Sequence, residues 1–146
     1  MSKWDKRYLE LAKLISSWSK DPRKQVGAVI TYKNYVRGVG FNGFPKGIED
    51  SPERLNTQGL KLPLMIHAEV NALIAAQGKG DTIYVYPCLP CSQCLGQIIQ
   101  SNIERIVTIE PKLMSSKWDV DLTLALAKEA GITVTLYSDS LTGEES

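Results

Sequence analysis

The sequence predicts an α/β chain, one three-layer α/β/α domain built on a mixed five-stranded sheet. Three observations carry this prediction. Five short runs rich in Val, Ile, Tyr and Thr alternate with segments whose apolar residues recur at helical spacing. The first two runs are separated only by a turn at Lys33-Asn34, which makes them an antiparallel hairpin. The last three are joined through helices, and a strand–helix–strand crossover of this length pairs its strands in parallel with a right-handed connection.

Taken in order, residues 4–19 place Tyr8, Leu11, Ala12, Leu14, Ile15 and Trp18 on one helical face, and Asp21-Pro22 ends that helix. Residues 26–31 read as a buried strand and residues 36–41 as its hairpin partner. Residues 42–63 are rich in Gly, Pro and polar side chains and read as one long loop, a length that marks a functional or mobile segment. A helix over 67–77 follows, closed by Gly78 and Gly80. Next come a strand over 82–86, a helix over 91–101 opened by Pro90, and a strand over 105–109. An amphipathic helix over 119–130 and a strand over 132–137 complete the pattern. No repeat or linker divides the chain, so residues 1–137 read as one domain and 138–146 as a polar, frayed tail.

With 146 residues, the chain buries a core without disulfides or metal staples. Its 43% hydrophobic and 23% charged content is ordinary for a soluble globular protein. Seventeen basic against 16 acidic residues leave a net charge of +1. That is no broad field for gripping a nucleic-acid backbone, which argues against a polynucleotide substrate. Three cysteines, an odd number confined to residues 88–94, fit metal binding in a reducing compartment better than a disulfide framework. The N-terminal residues lack the apolar core of a signal peptide, and no stretch reaches membrane-spanning length. The expected location is cytoplasmic.

Two segments carry the chemistry. His67-Ala68-Glu69 lies where an apolar run turns into a helix, and His67 is the sole histidine. Downstream stands Pro90-Cys91-Ser92-Gln93-Cys94. Together they read H-x-E … P-C-x-x-C, the signature of zinc deaminases acting on nucleobases. A catalytic zinc takes three protein ligands and keeps one position open. His67, Cys91 and Cys94 supply the three, and helix N-termini favour the thiolate form of the cysteines. Glu69 is not a ligand in this scheme. Two residues past His67, it is placed to take a proton from the attacking water and deliver it to a ring nitrogen, then to the departing amine. Each part alone has a plainer use: His67 as a cap or packing residue, C-x-x-C as a redox pair or half a structural zinc site, Glu69 as a surface charge. With Cys88 as a fourth ligand the site would be closed and structural. The joint pattern is far more specific than its parts.

Three further stretches add to the zinc motifs. Ser19-Lys20-Asp21-Pro22 runs into Gln25-Val26-Gly27-Ala28-Val29-Ile30; Gly40-Phe41-Asn42-Gly43-Phe44-Pro45-Lys46-Gly47 follows; and Ile98-Ile99-Gln100-Ser101-Asn102-Ile103 closes the zinc-binding helix. With them the chain resembles the deoxycytidylate (dCMP) deaminases of the cytidine deaminase superfamily over residues 15–137. The resemblance implies a cytidine deaminase-like fold, one Zn2+ per chain, and hydrolysis of dCMP to dUMP and ammonia, feeding thymidylate synthesis. It implies that Asn42 holds the deoxyribose 3′-hydroxyl and that the backbone at Ala68 and Pro90 addresses the base. The Ser19-Lys20 loop, with Arg23 and Lys24 beside it, is the candidate phosphate clamp, and of these only Ser19 and Lys20 fall on residues that the resemblance matches. A homo-oligomer is implied too, hexameric in many relatives, with dCTP as activator and dTTP as inhibitor.

Two departures stand out. The link Tyr86-Pro87-Cys88-Leu89 is one residue longer than is usual in the family, which predicts a bulge and an extra thiol near the metal. The second, structural zinc of some relatives is not expected, since no further histidine remains. Two other readings use the same residues. One is a deaminase of cytidine, cytosine, a modified dCMP or tRNA adenosine. The other is a non-catalytic zinc-bound nucleotide-binding module in which Cys88 closes the fourth position.

Overall fold

The structure is a computed structural model and describes residues 1–110 and 116–138. Its five strands are β1 (Gly27–Tyr32), β2 (Tyr35–Phe41), β3 (Thr82–Tyr86), β4 (Arg105–Ile109) and β5 (Thr133–Tyr137), in the sheet order β2-β1-β3-β4-β5. β1 pairs antiparallel with β2 and with β3, while β3, β4 and β5 run parallel. This is the expected mixed sheet. Lys33 and Asn34, at φ 49° and 68°, make the hairpin turn.

The described residues form six helices: α1 (Lys3–Ser16), α2 (Pro52–Asn56), α3 (Gln58–Leu64), α4 (Ala68–Ala76), α5 (Ser92–Gln100) and α6 (Lys117–Glu129). α1 covers one face of the sheet, where Leu9 and Ala12 pack with Val29, Tyr84 and Val107. The alternate residues of the same strands, Ala28, Ile30, Ile83, Val85 and Ile106, face α4, α5 and α6. Three layers follow from that alternation. None of these helices is long and apolar enough to cross a membrane.

Small residues set the position of α4. Ala68, Ala72 and Ala76 recur every four residues as one stripe, and all are buried. Gly38 and Gly40 of β2 face that stripe. A Cβ on Gly40 would lie 2.4 Å from the Ala72 backbone nitrogen, and one on Gly38 2.7 Å from the Ala72 carbonyl oxygen. Backbone therefore meets backbone, and this close approach fixes where the first turn of α4 stands.

On the other face Asp5 ties α1 to three strands. Its carboxylate accepts Arg105 Nη1 at 2.9 Å and Nη2 at 2.6 Å, Tyr137 Oη at 2.6 Å and Tyr84 Oη at 3.2 Å. Burial alone would raise its pKa, but the hydrogen bonds and the Arg105 charge outweigh that and hold it below the ordinary carboxylate range.

Three expectations change. The first helix ends at Ser16 rather than near residue 19, because the hydroxyls of Ser16 and Ser17 donate back to the carbonyls of Lys13 and Leu14 at 2.6 Å each. Residues 42–63, read as one loop, contain α2 and most of α3. Ser51 caps α2 through Arg54 N at 3.3 Å, with Pro52 in the first turn, but α2 buries nothing and α3 only Lys61. No apolar stripe marked either helix. The link at 86–89 holds no bulge; the chain leaves β3 through a cis Tyr86–Pro87 peptide, and the register shift lies between Ile30 and Thr31. The proposed tail, 138–146, lies outside the described residues beyond Ser138.

Candidate active site

His67 and Cys91 are each the N-cap residue of a helix, at φ −68°, ψ 151° for α4 and φ −70°, ψ 164° for α5. Neither side chain caps its own helix. Imidazole and thiol are thereby left to face one another. His67 Nδ1 stands 3.1 Å from Cys94 Sγ and 3.6 Å from Cys91 Sγ, and the donor atoms of the three residues all lie within 4.8 Å of one another. A tetrahedral zinc with Zn–S of about 2.3 Å and Zn–N of about 2.0–2.1 Å sets an S···N separation of ~3.5 Å. The donor set fits that ion in type and spacing.

Cys88 is outside this cluster. It packs against the hydrophobic core, and burial pushes its thiol up to about 11. Among the described residues the three clustered donors leave a tetrahedral position without a protein ligand, which is the pattern of a catalytic rather than a structural site.

The charges support ligation. Hydrogen bonds from Cys94 and His67 hold the Cys91 thiol down at about 4, so it is a thiolate at neutral pH. The hydrogen bond to Cys91, with burial, pushes the Cys94 thiol up, so metal binding must displace a proton there. The bond to Cys91 also raises His67, against the effect of burial. Glu69, 4% exposed, is pushed upward by burial, which brings its protonated form nearer to neutral pH and suits a group that takes and returns a proton.

Because Cys91 does not cap α5, another residue does. The carboxylate of Asp119 on α6 accepts the Ser92 backbone N–H at 3.3 Å and the Ser92 hydroxyl at 2.8 Å.

These residues open onto a cavity of about 710 Å³, within the range of small-molecule sites. His67, Glu69 and Cys91 line it, as do Asn42, Ala68 and Pro90. Asn42 Oδ1 accepts Val26 N–H at 2.9 Å and its Nδ2 donates to the Lys24 carbonyl at 2.8 Å, which leaves one amide hydrogen and one lone pair for a ligand. The N–H of Ala68, in the first turn of α4, has no partner within its own helix. The Pro90 carbonyl accepts the Thr123 hydroxyl at 3.3 Å and keeps a second lone pair.

The basic residues divide. Arg23 and Lys24 lie in the cavity wall; Ser19 and Lys20 do not. Ser19 is buried and donates to the Asn42 carbonyl at 2.9 Å, while Lys20 pairs in solvent with Asp50 at 2.9 Å. The sequence reading missed three charged wall residues: Asp21, Lys61 and Asp119. An Asp-Pro followed by two basic residues was the available signal for Asp21, whose Oδ1 accepts the N–H of Arg23 at 2.9 Å in an Asx-type turn.

Comparison with known proteins agrees with this geometry. Residues 2–110 match the family model of the cytidine and deoxycytidylate deaminase zinc-binding region. The chain is 39% identical over 140 residues to an uncharacterized deaminase in the luxG 3′ region of Aliivibrio fischeri, covering 92% of this chain and 94% of that one. It is 34% identical over 139 residues to the deoxycytidylate deaminase of Mus musculus, covering 89% and 77% of the two chains. The fold matches the crystal structure of the dCMP deaminase of cyanophage S-TIM5 in complex with dCMP and dUMP, with a TM-score of 0.73 at 23% identity over 93% of this chain and 98% of that one. The matched segment takes in His67, Glu69, Cys91 and Cys94, and the chain belongs to the cytidine and deoxycytidylate deaminase family of zinc-dependent enzymes.

Proposed function

We propose that this deaminase hydrolyses dCMP to dUMP and ammonia. One observation carries the reading: a single cavity holds Glu69 beside the three-donor cluster and the cationic side chains Arg23 and Lys24 in its wall. A site for cytosine chemistry and a site for a phosphate thus share one ligand-sized space. Relatives named deoxycytidylate deaminase support the choice of substrate.

Zinc held by His67, Cys91 and Cys94 supplies Lewis acidity that brings the pKa of water to about 7. The remaining work falls to the chain. Water adds its oxygen to C4 of the cytosine, and Glu69 takes its proton and hands it to the ring nitrogen. Glu69 then takes the proton of the new C4 hydroxyl and conveys it to the exocyclic nitrogen, and the C4–N bond breaks, so that ammonia leaves as the C4 carbonyl forms. The Ala68 N–H and Pro90 carbonyl address the polar edge of the base, and the spare amide hydrogen of Asn42 takes the 3′-hydroxyl. Arg23 and Lys24 receive the phosphate. Ser19 and Lys20 act behind them, Ser19 through its bond to the Asn42 backbone. By its resemblance to dCMP deaminases, the 40–47 loop extends the proposal to a homo-oligomer answering to dCTP and dTTP, and the product dUMP would feed thymidylate synthesis.

The test is ammonia release from the zinc-loaded protein with dCMP, CMP, deoxycytidine and cytosine side by side, with and without dCTP. Preference for dCMP is the expected result. Equal efficiency on dCMP and deoxycytidine would remove the phosphate site, and silence on all four with zinc bound would move the substrate to another class.

A further inference from the structure

α3 has an inverted burial pattern. Its one buried residue is Lys61, 5% exposed, whereas the flanking Leu60 and Leu62 are 43% and 66% exposed. Burying a leucine is favourable and burying an ammonium is costly unless it is paired, so a helix that hides Lys61 and shows Leu60 and Leu62 is organised by the charge. Lys61 Nζ meets Asp21 Oδ1 at 3.1 Å across forty residues of chain, with both side chains 6% exposed. That same oxygen accepts the backbone N–H groups of Arg23 at 2.9 Å and Lys24 at 3.4 Å. One carboxylate oxygen therefore joins the α3 wall of the cavity to the turn that carries the two cations. α2 and α3 pack chiefly on each other, and α2 contributes no buried residue. The ion pair is the buried polar tie that α3 makes to this turn.

We propose that Lys61 is a positioning residue for nucleotide recognition. Its ammonium anchors Asp21, and Asp21 holds the turn that sets Arg23 and Lys24 where they meet the substrate's phosphate. The inference rests on the reading of the substrate as a nucleoside monophosphate. It assigns Lys61 no part in the chemistry at Glu69. Loss of Lys61 therefore weakens binding of the phosphorylated substrate and spares the nucleoside.

The experiment measures kcat and KM for dCMP and for deoxycytidine on zinc-loaded wild type, Lys61→Met, Lys61→Arg, Asp21→Asn and the Lys61→Met/Asp21→Asn double variant. Asparagine at 21 keeps an oxygen for the two turn N–H groups and removes only the charge. Lys61→Met is expected to raise KM for dCMP about ten- to hundredfold, with kcat for dCMP and kcat/KM for deoxycytidine little changed. Lys61→Arg should restore most of the loss, and the double variant should be no worse than the poorer single one. Equal losses on dCMP and deoxycytidine in a folded, zinc-replete Lys61→Met would overturn the proposal. So would additive losses in the double variant, which would put Lys61 in direct contact with substrate. Should Lys61→Met not fold, Asp21→Asn carries the test, with the same selective rise in KM expected and its absence contradicting the role. A wild type indifferent to the phosphate overturns the nucleotide reading itself, whereas a preference for dCMP kept in full by Lys61→Met overturns this inference alone.

Discussion

The imidazole Nδ1 of His67 lies 3.6 Å from Cys91 Sγ across 24 residues, and each of the two caps a helix in position but not in bonding. Serine is among the best N-cap residues, and a good cap contributes about 1 kcal/mol. Cys91→Ser should therefore abolish zinc binding yet raise the stability of the metal-free chain by about 0.5–1 kcal/mol. Zinc content by elemental analysis, with urea unfolding in chelator, checks both halves. A metal-free variant less stable than metal-free wild type would show that Cys91 contributes more to packing than its cap position implies.

The cysteines should also separate chemically. With its thiol held at about 4 by the hydrogen bonds from Cys94 and His67, Cys91 stays a thiolate as pH falls toward that value. Cys88, pushed by burial to about 11, remains a thiol throughout the neutral range. In chelator, iodoacetamide should label Cys91 at a rate nearly independent of pH from about pH 5 upward, and label Cys88 slowly and faster as pH rises. Zinc should protect Cys91. Tandem mass spectrometry of the tryptic peptide 80–105, which holds all three cysteines, locates the label; preferential labelling of Cys88 at neutral pH would contradict the assignment.

Asp5 sets an acid limb. Its native pKa lies below the unfolded value of about 3.9, so the folded chain binds fewer protons than the unfolded one between those two values. The contribution is full above about pH 4 and is lost as pH falls through the lowered native pKa. Asp5→Asn should cost about 2 kcal/mol at neutral pH and show a shallower decline of the urea midpoint in acid. Parallel acid limbs in variant and wild type would remove Asp5 as the titrating group.

Gly40→Ala tests what seats the first turn of α4. The new Cβ would stand 2.4 Å from the Ala72 nitrogen, backbone that cannot rotate away, and the expected cost is about 1–3 kcal/mol or more. Zinc affinity should fall with it, because His67 rides on that helix. Unchanged affinity and stability would mean that α4 is seated elsewhere.

Legibility followed the kind of force involved. β1 and β3 read correctly because Val29 and Tyr84 alternate with Ile30 and Ile83 between two apolar layers, a period any strand must show. The donors His67, Cys91 and Cys94 stood out because metal chemistry restricts residue type and spacing together. α2 and α3 escaped notice because Lys61 is buried by pairing with Asp21, forty residues away, and no apolar stripe encodes that. For the same reason nothing in the sequence marked Asp21 as the partner of a buried lysine. Of the four candidate phosphate residues the cavity wall carries Arg23 and Lys24 and not the two that the resemblance matched, since the Ser19 hydroxyl is taken by the Asn42 carbonyl and the Lys20 ammonium by Asp50. Which neighbour claims a side chain is a property of the folded chain alone.

The most direct measurement is conversion of dCMP to dUMP by the zinc-loaded chain beside its Glu69→Gln variant, with zinc content determined for both. Turnover by the wild type, one zinc per chain in each protein, and a kcat at least about a hundredfold lower for the variant are expected. Normal turnover by zinc-replete Glu69→Gln, or no dUMP from zinc-replete wild type, would contradict the proposed mechanism.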